Sequence, residues 1–468
     1  MSIFFVLYFV IPALVLVSIL HPDEDASPWD LAAGLGLAMI AVGWLGFTLC
    51  LITGAPYSHT TLALTNAPFA VALLWRRRSV ARQVRGWIRW SRPGLEAALT
   101  ILVIAAAFAA ALLLFKTDQY SNTCLHQSLA YALGLPVENQ LMDGSMREGA
   151  DTLLTITNRE REGTFSLIAP FAMLWGFFGL RLIFACTVAL NGVFGLLIAR
   201  RWLGGSLPAS LLLALLFSSF PFGADILWND TNTVAFFSAA ALLYVASCRP
   251  RHVWLLGALF AALVSVRHIA IVSALGPLLL GLRGRGPRWP GHALGYGAAL
   301  LLVLLPLLVH HAVAFGSPFS YESFAEYSRY PHQLLGVRFE LNGMLNFPFH
   351  SELVRTPFNL LPVMFLFPLW LTSRMGVVLA ALGLVGAAAH VSRAWRGMLP
   401  VMLFVAPYLL ILAVNENWMQ IEKMGAIAPV MPVLLLACAL GATVIERLDG
   451  WWRRGRCWPG PCSSSTPG

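Results

Sequence analysis

Charge is scarce in this sequence: 11% of its 468 residues are Asp, Glu, Lys or Arg, against roughly 25% in soluble domains. Together with 58% hydrophobic residues, that shortage excludes a soluble or secreted protein and leaves the membrane class. Lysine is almost missing, with two among the 31 basic residues, Lys116 and Lys423. The arginines form no patch; they sit in short loops between oily runs, which excludes a nucleic-acid partner and points to a topological role. The seven cysteines contain no C-x-x-C pair, so neither a thiolate metal site nor a disulfide framework is supported. Met1 to Leu20 has no basic leading region and no A-x-A-like site, and reads as a first membrane helix rather than a signal peptide.

What the sequence does have is long apolar runs near the ~20 residues that cross a bilayer core. They predict an all-α polytopic protein with about 12 membrane-spanning helices. Expected crossings are 1–20, 31–53, 60–75, 95–114, 180–199, 207–222, 231–248, a pair of short ones within 253–282, 292–314, 375–392, 398–414 and 426–445. Two further apolar stretches, 164–179 and 357–371, are broken by Pro or Gly and are expected to lie along the outer interface. Seven arginines between Arg76 and Arg92 mark that loop as cytoplasmic. The clusters Arg200–Arg201, Arg249/Arg251, Arg283/Arg285/Arg288, Arg393/Arg396 and Arg447 with Arg453, Arg454 and Arg456 all fall on the same side. Three segments result: N-terminal helices with the arginine loop (1–94), a membrane module (95–445) and a cytoplasmic, disordered tail (446–468).

The outer face then holds the loops 116–165 and 316–356 and two short turns, 222–231 and 415–425. Asp118 and Tyr120, in "FKTDQYSNT", open the first loop. A partly desolvated carboxylate there can act as a general base, and an interfacial cap in water is the other reading. Asp230, in "LWNDTNT", precedes an alanine-rich helix, where an aspartate also serves as a helix cap. Asp118 and Asp230, coming from separate loops, offer oxygen ligands to a divalent metal ion, the one cofactor these residues point to. Arg267 and His268 interrupt the apolar run "LVSVRHIAIVSALG". Ionisable residues at membrane depth are costly and usually functional; arginine suits a phosphate, and it can also snorkel to lipid head groups. His310 and His311 end the next outward helix as candidate ligands or proton shuttles. Glu416, Trp418, Glu422 and Lys423 fill the last outer turn.

In this order, the chain resembles the GT-C superfamily of membrane glycosyltransferases, over about residues 95 to 445. It looks closest to the branch using polyprenyl-phosphate sugars, the dolichyl-phosphate-mannose and aminoarabinose transferase types. The likeness rests on "TDQY" after a membrane helix, "GTFSLIAPFAMLWGFFGLR", Asp230 before its helix, Arg267 in a short apolar helix, "AFGSPFSY", and the closing "IAPVMPVLLL". His311 stands where that family usually has asparagine. The resemblance implies inverting sugar transfer from a polyprenyl-phosphate donor on the non-cytoplasmic face of a bacterial plasma membrane, to a lipid, glycan or protein acceptor. Asp118 would be the general base. Arg267, with His268 or Lys423, would steady the departing phosphate. Asp230, Tyr120 and His311 would line the pocket. The competing expectation is a polytopic transporter or lipid-carrier flippase, which would place its charges near the midplane in repeated, broken helices; here they gather at one face.

Overall fold

The computed structural model describes residues 2–22, 26–53, 57–88, 95–114, 139–140, 146–147, 162–203, 207–223, 230–248, 253–283, 289–315, 332–334, 337–339, 381–386, 388, 403–408 and 428–455. Most of the expected outer loops, the stretch 357–371 and most of the crossings at 375–392 and 398–414 lie outside these residues.

The chain opens with α1 (Ser2–Phe5), which passes through a π-type turn at Val6–Val10 into α2 (Ile11–Leu20). Next comes α3 (Pro28–Thr53), whose start is written locally in Ser27-Pro28-Trp29-Asp30. The Ser27 hydroxyl accepts from the Asp30 N–H at 3.3 Å, and the Asp30 carboxylate accepts from the Ser27 N–H at 2.9 Å. This is a reciprocal capping box with proline as the first helical residue. In α4 (His59–Trp75), Ser58 caps the N–H of Thr61. The chain bends at Arg76 into the short α5 (Arg77–Ile88), and α6 (Leu95–Leu114) follows.

α7 (Glu162–Trp202) is two arms joined at Gly176, with φ 56° and ψ −136°, a conformation open to glycine and strained for other residues. After it come α8 (Leu207–Gly223), α9 (Asp230–Ser247), α10 (Trp254–Val266), a 3-10 turn at His268–Ser273, α11 (Leu275–Leu282), α12 (Trp289–Phe315) and α13 (Met431–Gly455). Regular structure among the described residues is helical apart from two antiparallel hairpins, β1 (Asn139–Gln140) with β2 (Met146–Arg147) and β3 (His332–Leu334) with β4 (Val337–Phe339).

Among the described residues, four helices are long and apolar enough to cross a membrane: Pro28–Thr53, Ala97–Leu114, Phe178–Trp202 and Trp289–His310. Seven further apolar helices among the described residues are 10–17 residues long. Burial ranks the long ones. The second arm of α7 is 78% buried, whereas α6 and α12 are each 17% buried, so α7 is the axis and the other two lie at the rim. Around α7 pack α3, α6, α8 and α9. Phe194 of α7 meets Phe237 and Tyr244 of α9 with ring centroids 5.6 and 5.5 Å apart. Lipid tails are as apolar as these side chains, so their close fit, rather than removal from water, holds the helices together.

The stretch 164–179, expected to lie along the outer interface, falls in the first arm of α7 and the kink after it. Phe165 packs on Phe47 of α3, Phe171 on Phe9, and Trp175 lies 6.3 Å from Phe5. Gly163 lies against the end of α10. Over about 21 Å, at ~1.5 Å per residue, this arm thus touches α10, α3 and α1 in turn, running transverse to them. Gly176 then turns the chain, and Phe178 begins the long arm.

At the other terminus the structure corrects the expected disorder for residues 446–455, which are helical, while 456–468 lie outside the described residues. α13 runs on to Gly455, because no proline interrupts the chain before Pro459 and an established helix propagates at little cost.

Candidate functional site

Three helix ends converge on Arg267. α10 stops when Arg267 becomes extended, with φ −141° and ψ 98°, its N–H still bonded to the Leu263 carbonyl at 2.9 Å. Its guanidinium Nη2 donates to the Oδ1 of Asn232, a buried residue in the first turn of α9. The start of α7 closes the corner. A methyl on Gly163 would lie 2.4 Å from the Ser265 hydroxyl oxygen and 2.8 Å from the Val266 backbone nitrogen, so only glycine permits this approach. Two helix N-termini, whose first N–H groups have no acceptor within their own helix and which carry a partial positive charge, therefore meet beside a permanent cation. Thr164, fully buried in the first turn of α7, has no hydrogen-bond partner for its hydroxyl among the described residues. The corner is arranged to favour an anion.

The sequence candidates distribute around it unevenly. Asp230 is the first residue of α9, two before Asn232. His268 directly follows Arg267 and opens the 3-10 turn. α12 ascends beside α10 in the same direction: Tyr296 packs on Phe260, and further along Val303 accepts from the Trp44 indole at 3.2 Å. His311, in the last turns of α12, is therefore carried to the same end of the bundle as Arg267. Asp118, Tyr120 and Lys423 lie outside the described residues. Among the described residues no group of three or more His, Cys, Asp or Glu side chains is placed to hold a metal ion.

The opposite end holds a second polar cluster, which the sequence reading missed. Asp30 of α3, its side chain 6% exposed, pairs with Arg201 of α7 at 2.5 Å. Tyr244 of α9 donates to the same carboxylate oxygen at 3.0 Å, and the Arg201 guanidinium lies 5.0 Å from the centre of the Tyr244 ring. Arg201 also donates to the Cys248 sulfur at 2.6 Å, and the His21 Nε2 lies 3.5 Å from the carboxylate. Three helices and the C-cap residue of α2 are tied here by one carboxylate and one guanidinium.

A Cys, a His and an Asp in one cluster invite comparison with a nucleophilic triad, but the geometry is wrong for one. In a triad the two ring nitrogens divide the work between nucleophile and acid. Here the same Nε2 faces both Asp30 and, at 3.9 Å, Cys248. The cluster is a junction. Its local signal was the S-x-x-D capping pattern before an apolar run; its partner, 171 residues on, left no local trace.

Two of the arginine-bearing ends, those of Arg76 and Arg201, lie together. Arg76 donates to the Ser18 carbonyl at 2.6 Å, and Arg201 reaches α3 and the end of α9. Polar chemistry thus occupies both ends of the bundle, the Arg267 corner at one and the Asp30 junction at the other. Comparisons with protein-family models, curated proteins and solved structures found nothing that matches the chain.

Proposed function

We propose that the chain is an inverting membrane glycosyltransferase of the GT-C type, with about twelve crossings, working in a bacterial plasma membrane. It would take a sugar from a polyprenyl-phosphate donor and pass it to a lipid, glycan or protein acceptor on the non-cytoplasmic face. The observation that carries this reading is the corner at Arg267, where a guanidinium and two helix N-termini share one end of the bundle. A donor of this class leaves behind a lipid phosphate whose negative charge grows as the glycosidic bond breaks. Fixed donors and dipoles aimed at that charge stabilise it without reorganising.

In the proposed reaction the acceptor hydroxyl loses its proton to Asp118 and attacks the anomeric carbon, and the bond to the phosphate oxygen breaks with inversion. Arg267 holds the phosphate, with Asn232 fixing the guanidinium's orientation. His268 and Lys423 are the further cations that would share this charge, and Asp230, Tyr120 and His311 would bound the sugar and acceptor. The transverse arm of α7 would lie near the outer interface, where the donor's isoprenoid approaches.

The test is glycan and lipid analysis of membranes carrying wild type, Asp118→Asn or Arg267→Ala, with insertion checked by gel filtration. Loss of the general base should lower product by about 10²–10⁴-fold. Unchanged glycoconjugates in both variants would overturn the proposal. If lipid-carrier translocation fell instead, the flippase reading would replace it.

A further inference from the structure

α5 is a basic helix with two opposed faces. Arg76, at the bend before it, donates to the Ser18 carbonyl at 2.6 Å; Gln83 donates to the His21 carbonyl at 2.9 Å; and the Trp87 indole donates to the Ala26 carbonyl at 2.6 Å. The acceptors run from the last turn of α2 through the following loop to the start of α3, so α5 lies across the ends of these two helices. With Val80 buried as well, the docked residues 76, 80, 83 and 87 occupy an arc of about 60° at ~100° per residue. Arg77, Arg78, Arg82 and Arg85 are all exposed, within an arc of about 140° centred roughly opposite. No acidic residue occurs in the helix. Immediately before the bend, Trp75 ends α4 with 89% of its surface exposed, the placement of an indole at a lipid–water boundary.

From this we infer that the exposed face of α5 binds the head groups of anionic phospholipids in the leaflet at the arginine-rich end. Four guanidinium groups on one side of a helix fixed across the bundle end form a cationic surface in register with a layer of lipid phosphates. The three hydrogen bonds to backbone carbonyls matter because they stop the helix rolling. The arginines are presented outward whether or not lipid is present.

The test uses the full-length protein in mild detergent, mixed with phosphatidylglycerol or phosphatidylcholine, with retained lipid counted by native mass spectrometry. Wild type should prefer phosphatidylglycerol. The variant R77Q/R78Q/R82Q/R85Q keeps helix propensity and should lose at least about tenfold of that preference, since one arginine at an anionic surface is worth a factor of roughly five. An unchanged preference overturns the inference, as does an equal loss in R447Q/R453Q/R454Q/R456Q, which removes the same charge elsewhere. If the α5 variant fails to fold, wild type is measured in salt. Raising it from ~0.1 M to ~1 M shortens the screening length from about 10 to about 3 Å. That should abolish the preference, and its persistence at high salt counts equally against the inference.

Discussion

Removing the Asp30 carboxylate should be among the most damaging single changes in the bundle. The side chain is 6% exposed and receives Arg201 at 2.5 Å, Tyr244 at 3.0 Å and the Ser27 hydroxyl at 2.8 Å. Asp30→Ala leaves the guanidinium of Arg201 in a largely buried site without its counter-charge, which costs about 3–5 kcal/mol. Loss of the capping box at the start of α3 adds about 1 kcal/mol. Asp30→Asn keeps an acceptor for the cap and so should fall between Ala and wild type. Arg201→Met should cost less than Asp30→Ala, because the remaining carboxylate still accepts from Tyr244 and from the Ser27 N–H and hydroxyl. The double variant Asp30→Ala/Arg201→Met leaves no orphaned charge and should recover much of what Asp30→Ala alone loses. Equilibrium unfolding in mixed detergent–SDS micelles, followed by circular dichroism, gives the four free energies of the cycle. A coupling energy below about 0.5 kcal/mol, the scatter expected of independent sites, would refute the junction.

Three other outcomes are expected. Gly163→Ala should destabilise by about 1–3 kcal/mol as an overpacking change, because its methyl would sit 2.8 Å from the Val266 backbone nitrogen; thermal unfolding of the purified protein measures it. Gly176→Ala meets no atom within 4 Å, yet its φ is +56° with ψ −136°, so it should cost about 1–3 kcal/mol from backbone strain alone, measured in the same assay. Asn191, wholly buried in the long arm of α7, has neither amide atom hydrogen-bonded among the described residues. Asn191→Leu should therefore be neutral or stabilising, and a loss of stability would mean that a water or ligand uses this amide.

Some of this architecture was legible because single residues announce it. The arginines sort the helix ends, and Arg76 and Arg201 are indeed found at one end. Pro170 and Gly176 marked 164–179 as a broken apolar stretch, and the helix does kink at Gly176. Arg267 stood out as a cation inside an oily run, and it occupies the junction of three helix ends. Asn232 and Gly163 did not stand out. One is an ordinary polar residue in a first turn, and the other matters only because Ser265 and Val266 come within van der Waals range. The Asp30–Arg201 pair was illegible for the same reason: two charges 171 residues apart become partners only through the packing of α3 on α7. Asp118, Tyr120 and Lys423 belong to the proposed site through the sequence alone.

That separation has a consequence for biogenesis. At ~5–20 residues per second, Asp30 leaves the ribosome roughly 10–30 s before Arg201. Throughout that interval the carboxylate has its own capping serine but no cationic partner, and Tyr244 arrives later still. The first three helices therefore enter the bilayer with their final clamp unmade. They must wait, loosely associated or held by the insertion machinery, until the last turn of α7 emerges. A chain interrupted between Ser58 and Arg200 would carry every residue of α3 and none of the charge that fixes it. Such a fragment should be recognised as unfinished and degraded.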